Sequence, residues 1–278
     1  MKNSPLVSIV VTTRNEERNI GRLCDSVKRQ MYSNIELIVV DNNSSDRTRE
    51  IAGMYTDKVY NRGPERSAQR NYAVKVASGD YVLILDADME LAEQVIEECV
   101  SIAIGNSEIK AIVVPEKTTG EGFWGMCKVL ERDFYFLEVD ADIEAARFFN
   151  RGVFLEMGGY DLTISGGGED WDLPERIYKR YPQRHRTQAF LIHHEGRIVL
   201  SRLLRKKFYY AKTAPVYVEK QANVSILGPK TLFFLRPVFY KHWRLWLKSP
   251  IISLGTWFML FMELMAGGVG FLKGKYHI

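Results

Sequence analysis

The fold of this chain is limited most by short, β-branched apolar runs set between helix-period segments. Leu6-Val-Ser-Ile-Val-Val-Thr-Thr13, Ile35-Glu-Leu-Ile-Val-Val40 and Tyr81-Val-Leu-Ile-Leu85 are nearly apolar throughout rather than alternating, as strands covered on both faces must be. Ile20, Leu23, Cys24 and Val27 recur at helical spacing, and Ser67 to Ala77 reads as a helix stopped by Gly79. Asn15 is expected to cap the first helix, with Glu16 and Glu17 in its first turn. A second helix should start near Asp46, with Val59-Tyr60 a short strand, Leu91 to Ile104 a helix and Ala111 to Val114 a fourth main strand. This alternation implies an α/β fold with a mostly parallel sheet and right-handed crossovers. Ligands bind beyond the carboxyl ends of strands in such sheets. Three of those ends are polar: Thr12 to Asn15, Asp41 to Asn43, and Asp86 to Asp88.

Past residue 120 the pattern loosens. Phe123 to Glu138 reads as an aromatic-rich helix, Ala145 to Phe149 as a short strand and Gly166-Gly-Gly168 as a flexible loop able to close over substrate. A helix over Asp170 to Tyr181, with Pro174 in its first turn, and a strand over Gln188 to His193 follow. Cysteines number three, far apart, which argues against a disulfide framework or a cysteine zinc site and fits a reducing cytoplasm. The N-terminal residues show no signal-peptide pattern. No phosphate-cradling Gly-x-x-x-x-Gly-Lys-Ser/Thr loop occurs.

Asp86-Ala-Asp88 follows a strong strand, with two carboxylates directed to one side. Two close carboxylates repel one another without a cation, and at a strand end they suit Mg²⁺ or Mn²⁺ bridging to substrate phosphates. Taken alone, an Asp-x-Asp can equally be a pair of solvated loop acids.

Five segments in order make the pattern specific: Val7-Ser-Ile-Val-Val-Thr-Thr-Arg-Asn-Glu16, Ile38-Val-Val-Asp-Asn-Asn-Ser-Ser-Asp46, Arg66-Ser-Ala-Gln-Arg-Asn71, Gly79-Asp-Tyr-Val-Leu-Ile-Leu-Asp-Ala-Asp88 and Gly168-Glu-Asp-Trp-Asp172. Over roughly residues 5 to 195 the chain resembles the family 2 glycosyltransferases, which have the GT-A fold. The resemblance implies a catalytic domain over 1–198 that uses a nucleotide-sugar donor and a divalent metal (Mn²⁺ or Mg²⁺), with inversion at the sugar carbon as the family's habit. It places Thr12, Thr13, Arg14, Asn15, Glu16 and Asp41 in the nucleotide pocket, with Arg66 nearby and Asp41 accepting from a base N–H. Asp88 would contact the metal, and Asp86 the ribose or a metal-bound water. Within Glu169-Asp170 the resemblance makes Asp170 the base that takes the acceptor proton, with Glu169 the alternative; Trp171 either stacks on an acceptor sugar or packs. Of His193-His194, His194 is preferred as a further metal ligand. Asn71 is expected to be structural.

The remainder, 199–278, is expected to be helical and membrane-associating. Residues 196–248 hold twelve Lys or Arg and one acid, Glu219, against a net −8 over the first 195 residues. Basic heads over aromatic bodies suit an anionic bilayer surface, and no nucleic-acid motif accompanies them. A helical subdomain packed on the sheet is the structural alternative. Ile251 to Gly270 carries one charge, Glu263, and is long enough to span; an in-plane or dipping helix is preferred over a span.

The expected activity is transfer of a sugar to a hydroxyl of a lipid-linked or cell-envelope glycan at the cytoplasmic face of the membrane. Transfer to polyprenyl phosphate is the near alternative, since a phosphate acceptor needs no base. A nucleotidyltransferase and a non-catalytic sugar-nucleotide binder are the readings from other classes.

Overall fold

The computed structural model describes residues 4–138, 145, 147–164, 168–220, 228 and 232–276. Residues 166 and 167 of the expected glycine lid, and residue 146 of the expected strand, lie outside these. In chain order the elements are β1 (Val7–Thr13), α1 (Ile20–Lys28), β2 (Ile35–Asp41), α2 (Thr48–Gly53), β3 (Val59–Asn61), α3 (Arg66–Val76), β4 (Tyr81–Asp86), β5 (Met89–Leu91), α4 (Val95–Gly105), β6 (Ala111–Val113), β7 (Glu116–Glu121), α5 (Gly122–Phe136), β8 (Phe148–Asn150), α6 (Arg151–Glu156), α7 (Glu169–Arg180), β9 (His185–Arg186), β10 (Leu191–Arg197), α8 (Leu200–Lys220), α9 (Pro237–Lys241), α10 (Leu245–Lys248) and α11 (Pro250–Tyr276).

The chain divides into two compact units. The first takes in the residues up to Glu116, the stretch around β8 and α6, and Asp170 to His193. Its sheet has the order β3-β2-β1-β4-β8-β6-β9. β3, β2, β1 and β4 are parallel, whereas β8 runs antiparallel to both β4 and β6. The continuous apolar runs have a direct cause: alternate residues feed two cores. Val7, Ile9, Val11, Leu83 and Leu85 pack on the face holding α1 and α4. Val10, Ile38, Val40, Val82 and Ile84 pack on the face holding α3 and α7. Each such side chain is essentially fully buried and contributes about 1.5–3 kcal/mol.

The register levels the three polar strand ends. Thr12 of β1 pairs with Asp86 of β4, and Thr13 with Asp41 of β2. The parallel α/β core stands as the sequence implied, but several local expectations do not. Asn15 is not a helix cap: α1 begins five residues later, at Ile20, after Asn19. Asn15 sits instead at φ 55°, a left-handed turn conformation that asparagine tolerates. From there its Oδ1 accepts the Ser45 N–H at 2.9 Å, and its own N–H donates to Ser44 Oγ at 2.7 Å. The expected Leu91–Ile104 helix starts only at Val95, because Met89–Leu91 pairs antiparallel with Leu191–His193. Pro174 is the sixth residue of α7, beyond its first turn, so the Asp170 carbonyl lacks the usual helical donor.

The second unit holds α5 together with α8 to α11 and begins its last stretch at His194. α11 has 27 residues and is long and apolar enough to cross a membrane. Its inward face packs on α5 through Gly255, against the Phe123 ring and Cys127. The Thr256 hydroxyl donates to the Cys127 carbonyl at 3.1 Å. Glu263 is not a lone charge on an apolar helix. It is buried and accepts from Lys128 Nζ of α5 at 3.1 Å and Lys207 Nζ of α8 at 3.0 Å. Lys128 also donates to Glu131 at 2.7 Å. Aromatic rings of Phe134, Phe239, Trp246 and Trp257 interlock beside this ion network, with centroids 4.4–6.5 Å apart. Cys24, Cys99 and Cys127 are free, buried thiols.

Candidate active site

The site is assembled at the carboxyl ends of β1, β2 and β4. Two loops are laced together there. The Glu16 N–H donates to Thr48 Oγ1 at 2.7 Å, the Asn42 N–H to the Thr13 carbonyl at 2.9 Å, and the Arg47 N–H to Glu17 at 3.1 Å. Asp41 is fully buried, and both its carboxylate oxygens are taken by Ser44, one of them from the backbone N–H at 2.8 Å. Arg14 and Asn15 are exposed, Glu16 is half-buried, and Thr13 Oγ1 is buried with no hydrogen-bond partner among the described residues. Burial raises the Glu16 carboxyl above its ordinary range, and the nearby Asp88, Asp46 and Asp86 charges add to this.

Asp86 is the hub. Its Oδ1 accepts from Thr12 Oγ1 at 3.2 Å and from Arg70 Nη2 at 3.0 Å, and Arg66 Nη1 lies 3.9 Å from Oδ2. Burial would raise its pKa, but the positive charges of Arg70, Arg66 and Arg147 outweigh it and hold the carboxylate ionised far below the usual range. The Arg70 side chain is completely buried, and its other terminal nitrogen donates to Asp170 Oδ1 at 2.5 Å. The Tyr160 ring centroid is 5.2 Å from the guanidinium carbon. One planar fork therefore joins the Asp-x-Asp strand end to the start of α7.

Asp88 faces the other way along the same turn. His193 Nε2 is 3.2 Å from Asp88 Oδ2, and His193 Nδ1 is 3.3 Å from Glu116 Oε2. Glu116 is in turn paired with the buried Arg147, whose Nε donates to Oε1 at 2.6 Å. Burial works against a charged imidazole, yet the hydrogen bonds to Asp88 and Glu116 prevail and raise His193 to about 10. The next residue, His194, has its Nδ1 3.0 Å from Thr119 Oγ1. Successive strand residues point to opposite sides, so the structure brings His193, and not the expected His194, to Asp88.

Asp88 Oδ1 is buried and, among the described residues, has no hydrogen-bond partner. An orphaned carboxylate oxygen is costly unless a cation completes it. Asp86 Oδ1 is committed to Thr12 and Arg70, and both His193 nitrogens are engaged by Asp88 and Glu116, so it is the carboxylate oxygens of Asp88 that suit Mg²⁺ or Mn²⁺. Among the described residues no ready-made cluster of three or more such ligands is present. A metal here would draw the remaining donors from substrate or water.

The acidic pair at α7 separates. Asp170 is part-exposed and bonded to Arg70, Glu169 is buried, and Trp171 is half-buried. Asp172 instead accepts from Arg176 at 2.9 Å within the helix. Asn71 is structural, as expected: its side chain exchanges two 2.8 Å hydrogen bonds with the Tyr160 backbone. Arg70, Arg147 and Glu116 escaped the sequence reading, whereas His193 figures there behind His194. For Arg70 a signal existed: positions 66, 69, 70 and 73 form one helical face, and its polar members had to be aimed at something buried.

The description "Glycosyl transferase family 2" matches residues 8–156. A glycosyltransferase of PGL/p-HBAD biosynthesis from Mycobacterium bovis is 27% identical over 184 residues, covering 63% of this chain and 70% of that protein. An uncharacterised glycosyltransferase of Haemophilus influenzae is 34% identical over 113 residues, 37% of this chain; the match spans only 44% of that relative's length. Among solved structures, the mannosyltransferase PcManGT from Pyrobaculum calidifontis, in complex with GDP-Man and Mn²⁺, aligns over 99% of this chain and 88% of its own, with a TM-score of 0.63 and 18% identity. S. aureus TarS 1-349 in complex with UDP-GlcNAc aligns over 98% and 92%, with a TM-score of 0.54 and 15% identity. The match extends over more than half of the residues and includes every strand end of the site, so the chain belongs to glycosyl transferase family 2 and has the GT-A fold.

Proposed function

We propose that this chain is a metal-dependent, inverting glycosyltransferase that moves a sugar from a nucleotide-sugar to an acceptor hydroxyl. The observation that carries the reading is the Arg70 fork, which holds Asp86 and Asp170 on one guanidinium. It ties a donor-side carboxylate to a carboxylate placed for the acceptor. Thr12 to Glu16, Asp41 and Arg66 line the nucleotide side. Asp88 would hold the divalent ion, with His193 behind it and able to join as a ligand only after giving up its proton; the ion would supply Lewis-acid neutralisation of the leaving nucleoside diphosphate. Asp170 takes the acceptor's hydroxyl proton as the new bond to the sugar carbon forms. The bond from that carbon to the diphosphate oxygen breaks, and the electron pair leaves with the diphosphate. Arg70 is a positioning residue that fixes the rotamer of Asp170.

The acceptor we infer is a lipid-linked or cell-envelope glycan at the cytoplasmic face of the membrane. The apolar α11 supports this, as does a relative named beta-monoglucosyldiacylglycerol synthase from Trichormus variabilis, 24% identical over 224 residues but matched over only 47% of its length. The test is a thermal-shift panel of UDP-, GDP-, dTDP- and CMP-sugars with and without Mn²⁺, followed by turnover of the stabilising donor. Mn²⁺-dependent stabilisation lost in Asp88→Ala is expected, together with a fall of about 10²–10⁴ in turnover for Asp170→Asn. Near-normal turnover in Asp170→Asn would remove the base and leave a phosphate acceptor as the better reading.

A further inference from the structure

α11 has two unlike sides. Its inward side carries Gly255, Thr256, Glu263 and Gly270 against α5 and α8. Its outward side is an unbroken apolar stripe of Ile251, Leu254, Phe258, Phe261, Met265 and Leu272, spaced three, four or seven apart. Ile251 and Leu254 are 75% and 74% exposed. The stripe runs about 32 Å along the helix and carries no charge. It continues back along the chain through the exposed Leu247, Trp243 and Tyr240. Soluble surfaces seldom leave so long an apolar strip uncovered.

The charges beside this strip identify what covers it. A cavity of about 440 Å³ opens among Lys241, His242, Trp243, Arg244 and Lys248. Among the described residues no carboxylate lines it. Lys241 is paired with Glu138 at 2.6 Å, and Arg244 leans towards the Trp243 ring, 5.9 Å from its centroid. Among the described residues, Arg244 has no ion-pair partner, and Lys248 has none within 4 Å, though its charge is felt by Asp133. Four residues apart, they present two cations next to exposed aromatic and aliphatic side chains. A protein partner would have to be both strongly apolar and acidic along the same line. An anionic bilayer offers both layers in the right order: phosphates at the level of the cations, and acyl chains under the stripe.

We infer that the α9–α11 region docks in the plane of an anionic membrane, with the α11 stripe in the headgroup–acyl boundary and lipid phosphates in the Lys241–Arg244–Lys248 cavity. The helix does not span. α5 and α8 pack along it from Gly255 to Gly274, and they carry Lys128, Glu131, Lys207 and Lys212. A spanning helix would drag these charges into hydrocarbon. This deepens the membrane placement proposed above by naming the face and the lipid class.

The test uses the full chain and vesicles of phosphatidylcholine, alone or with phosphatidylglycerol. Co-flotation with the phosphatidylglycerol vesicles is expected, weakened by salt and reversed by an alkaline carbonate wash. Phe258→Asp combined with Phe261→Asp should abolish flotation. Arg244→Ala and Lys248→Ala should each weaken it roughly fivefold, and together erase the preference for anionic vesicles. Brominated lipid should quench the fluorescence of the unaltered chain, an effect reduced in Trp243→Phe; this readout stands even where a charge variant fails to fold. Donor hydrolysis in vesicle-free solution should be unchanged in all these variants, which separates failure of docking from failure of the catalytic reading. Absence of flotation by the unaltered chain, retention through carbonate, or displacement by inorganic phosphate at equal phosphorus would each overturn the inference.

Discussion

One hundred residues separate Arg70 from Asp170 in the chain, yet Nη1 of one lies 2.5 Å from Oδ1 of the other. The contact is made from inside: the guanidinium is fully buried, and its second arm is spent on Asp86. Removing it takes the fork from both carboxylates and leaves Asp86 with Arg66 at 3.9 Å. Arg70→Met is therefore expected to cost about 3–5 kcal/mol of stability in a denaturant melt. Arg70→Lys keeps the charge but loses the fork. It should fold, with kcat/KM lowered about 10²-fold through a misplaced Asp170. Equal activity in the lysine variant would show that the charge alone matters.

The two adjacent histidines should behave differently. His193→Ala is expected to raise the Mn²⁺ concentration needed for half-maximal turnover about 10–100-fold. His194→Ala should leave that concentration unchanged, because its ring turns to Thr119. Removal of divalent ions with a chelator should abolish transfer in all three proteins, and Mn²⁺ should restore it to each at its own midpoint.

Acid should loosen the helical unit. Burial opposes ionisation of Glu131, but Lys128, Arg132 and Arg236 prevail and lower its carboxyl from an ordinary 4.5 to about 2. A carboxyl lowered in the folded state stabilises the fold fully above its unfolded value. That contribution is lost as pH falls from 4.5 towards 2. Circular-dichroism melts across that window should show the decline. Glu131→Gln should be less stable at neutral pH and show a shallower decline.

Gly270 and Gly268 give a matched pair on one helix. A Cβ at Gly270 would press into the Phe208 carbonyl of α8, whereas at Gly268 it would meet nothing within 4 Å among the described residues. Gly270→Ala should lower stability by about 1–3 kcal/mol through overpacking. Gly268→Ala should raise it by up to about 1 kcal/mol through helix propensity. The difference between the two melting temperatures measures how tightly α8 and α11 are held.

The parallel core was legible because its strands are buried on both faces, which writes an unbroken apolar run into β1, β2 and β4. The positions of Asp86 and Asp88 followed from those runs. The Arg70 bridge did not, since a helix face shows that a residue points inward but not which distant carboxylate it meets. The choice between His193 and His194 turns on one step of strand register, and such a step exchanges the two faces of a strand. Asn15 resembled a cap because asparagine favours both caps and left-handed turns, and only its bond to Ser45 decides between them. Glu263 looked like a burden within an apolar helix. Its partners come from α5 and α8, which no local pattern connects.

The burial of all three native thiols makes the chain convenient to label. Burial pushes the Cys24 thiol up to about 12, and the Cys99 and Cys127 thiols are raised as well. At neutral pH none is appreciably the nucleophilic thiolate. A single cysteine introduced at an exposed position, such as Leu254→Cys or Tyr240→Cys, would then react alone with maleimide or methanethiosulfonate reagents. Spin or fluorescent labels could thus report immersion depth position by position, with the native cysteines left in place.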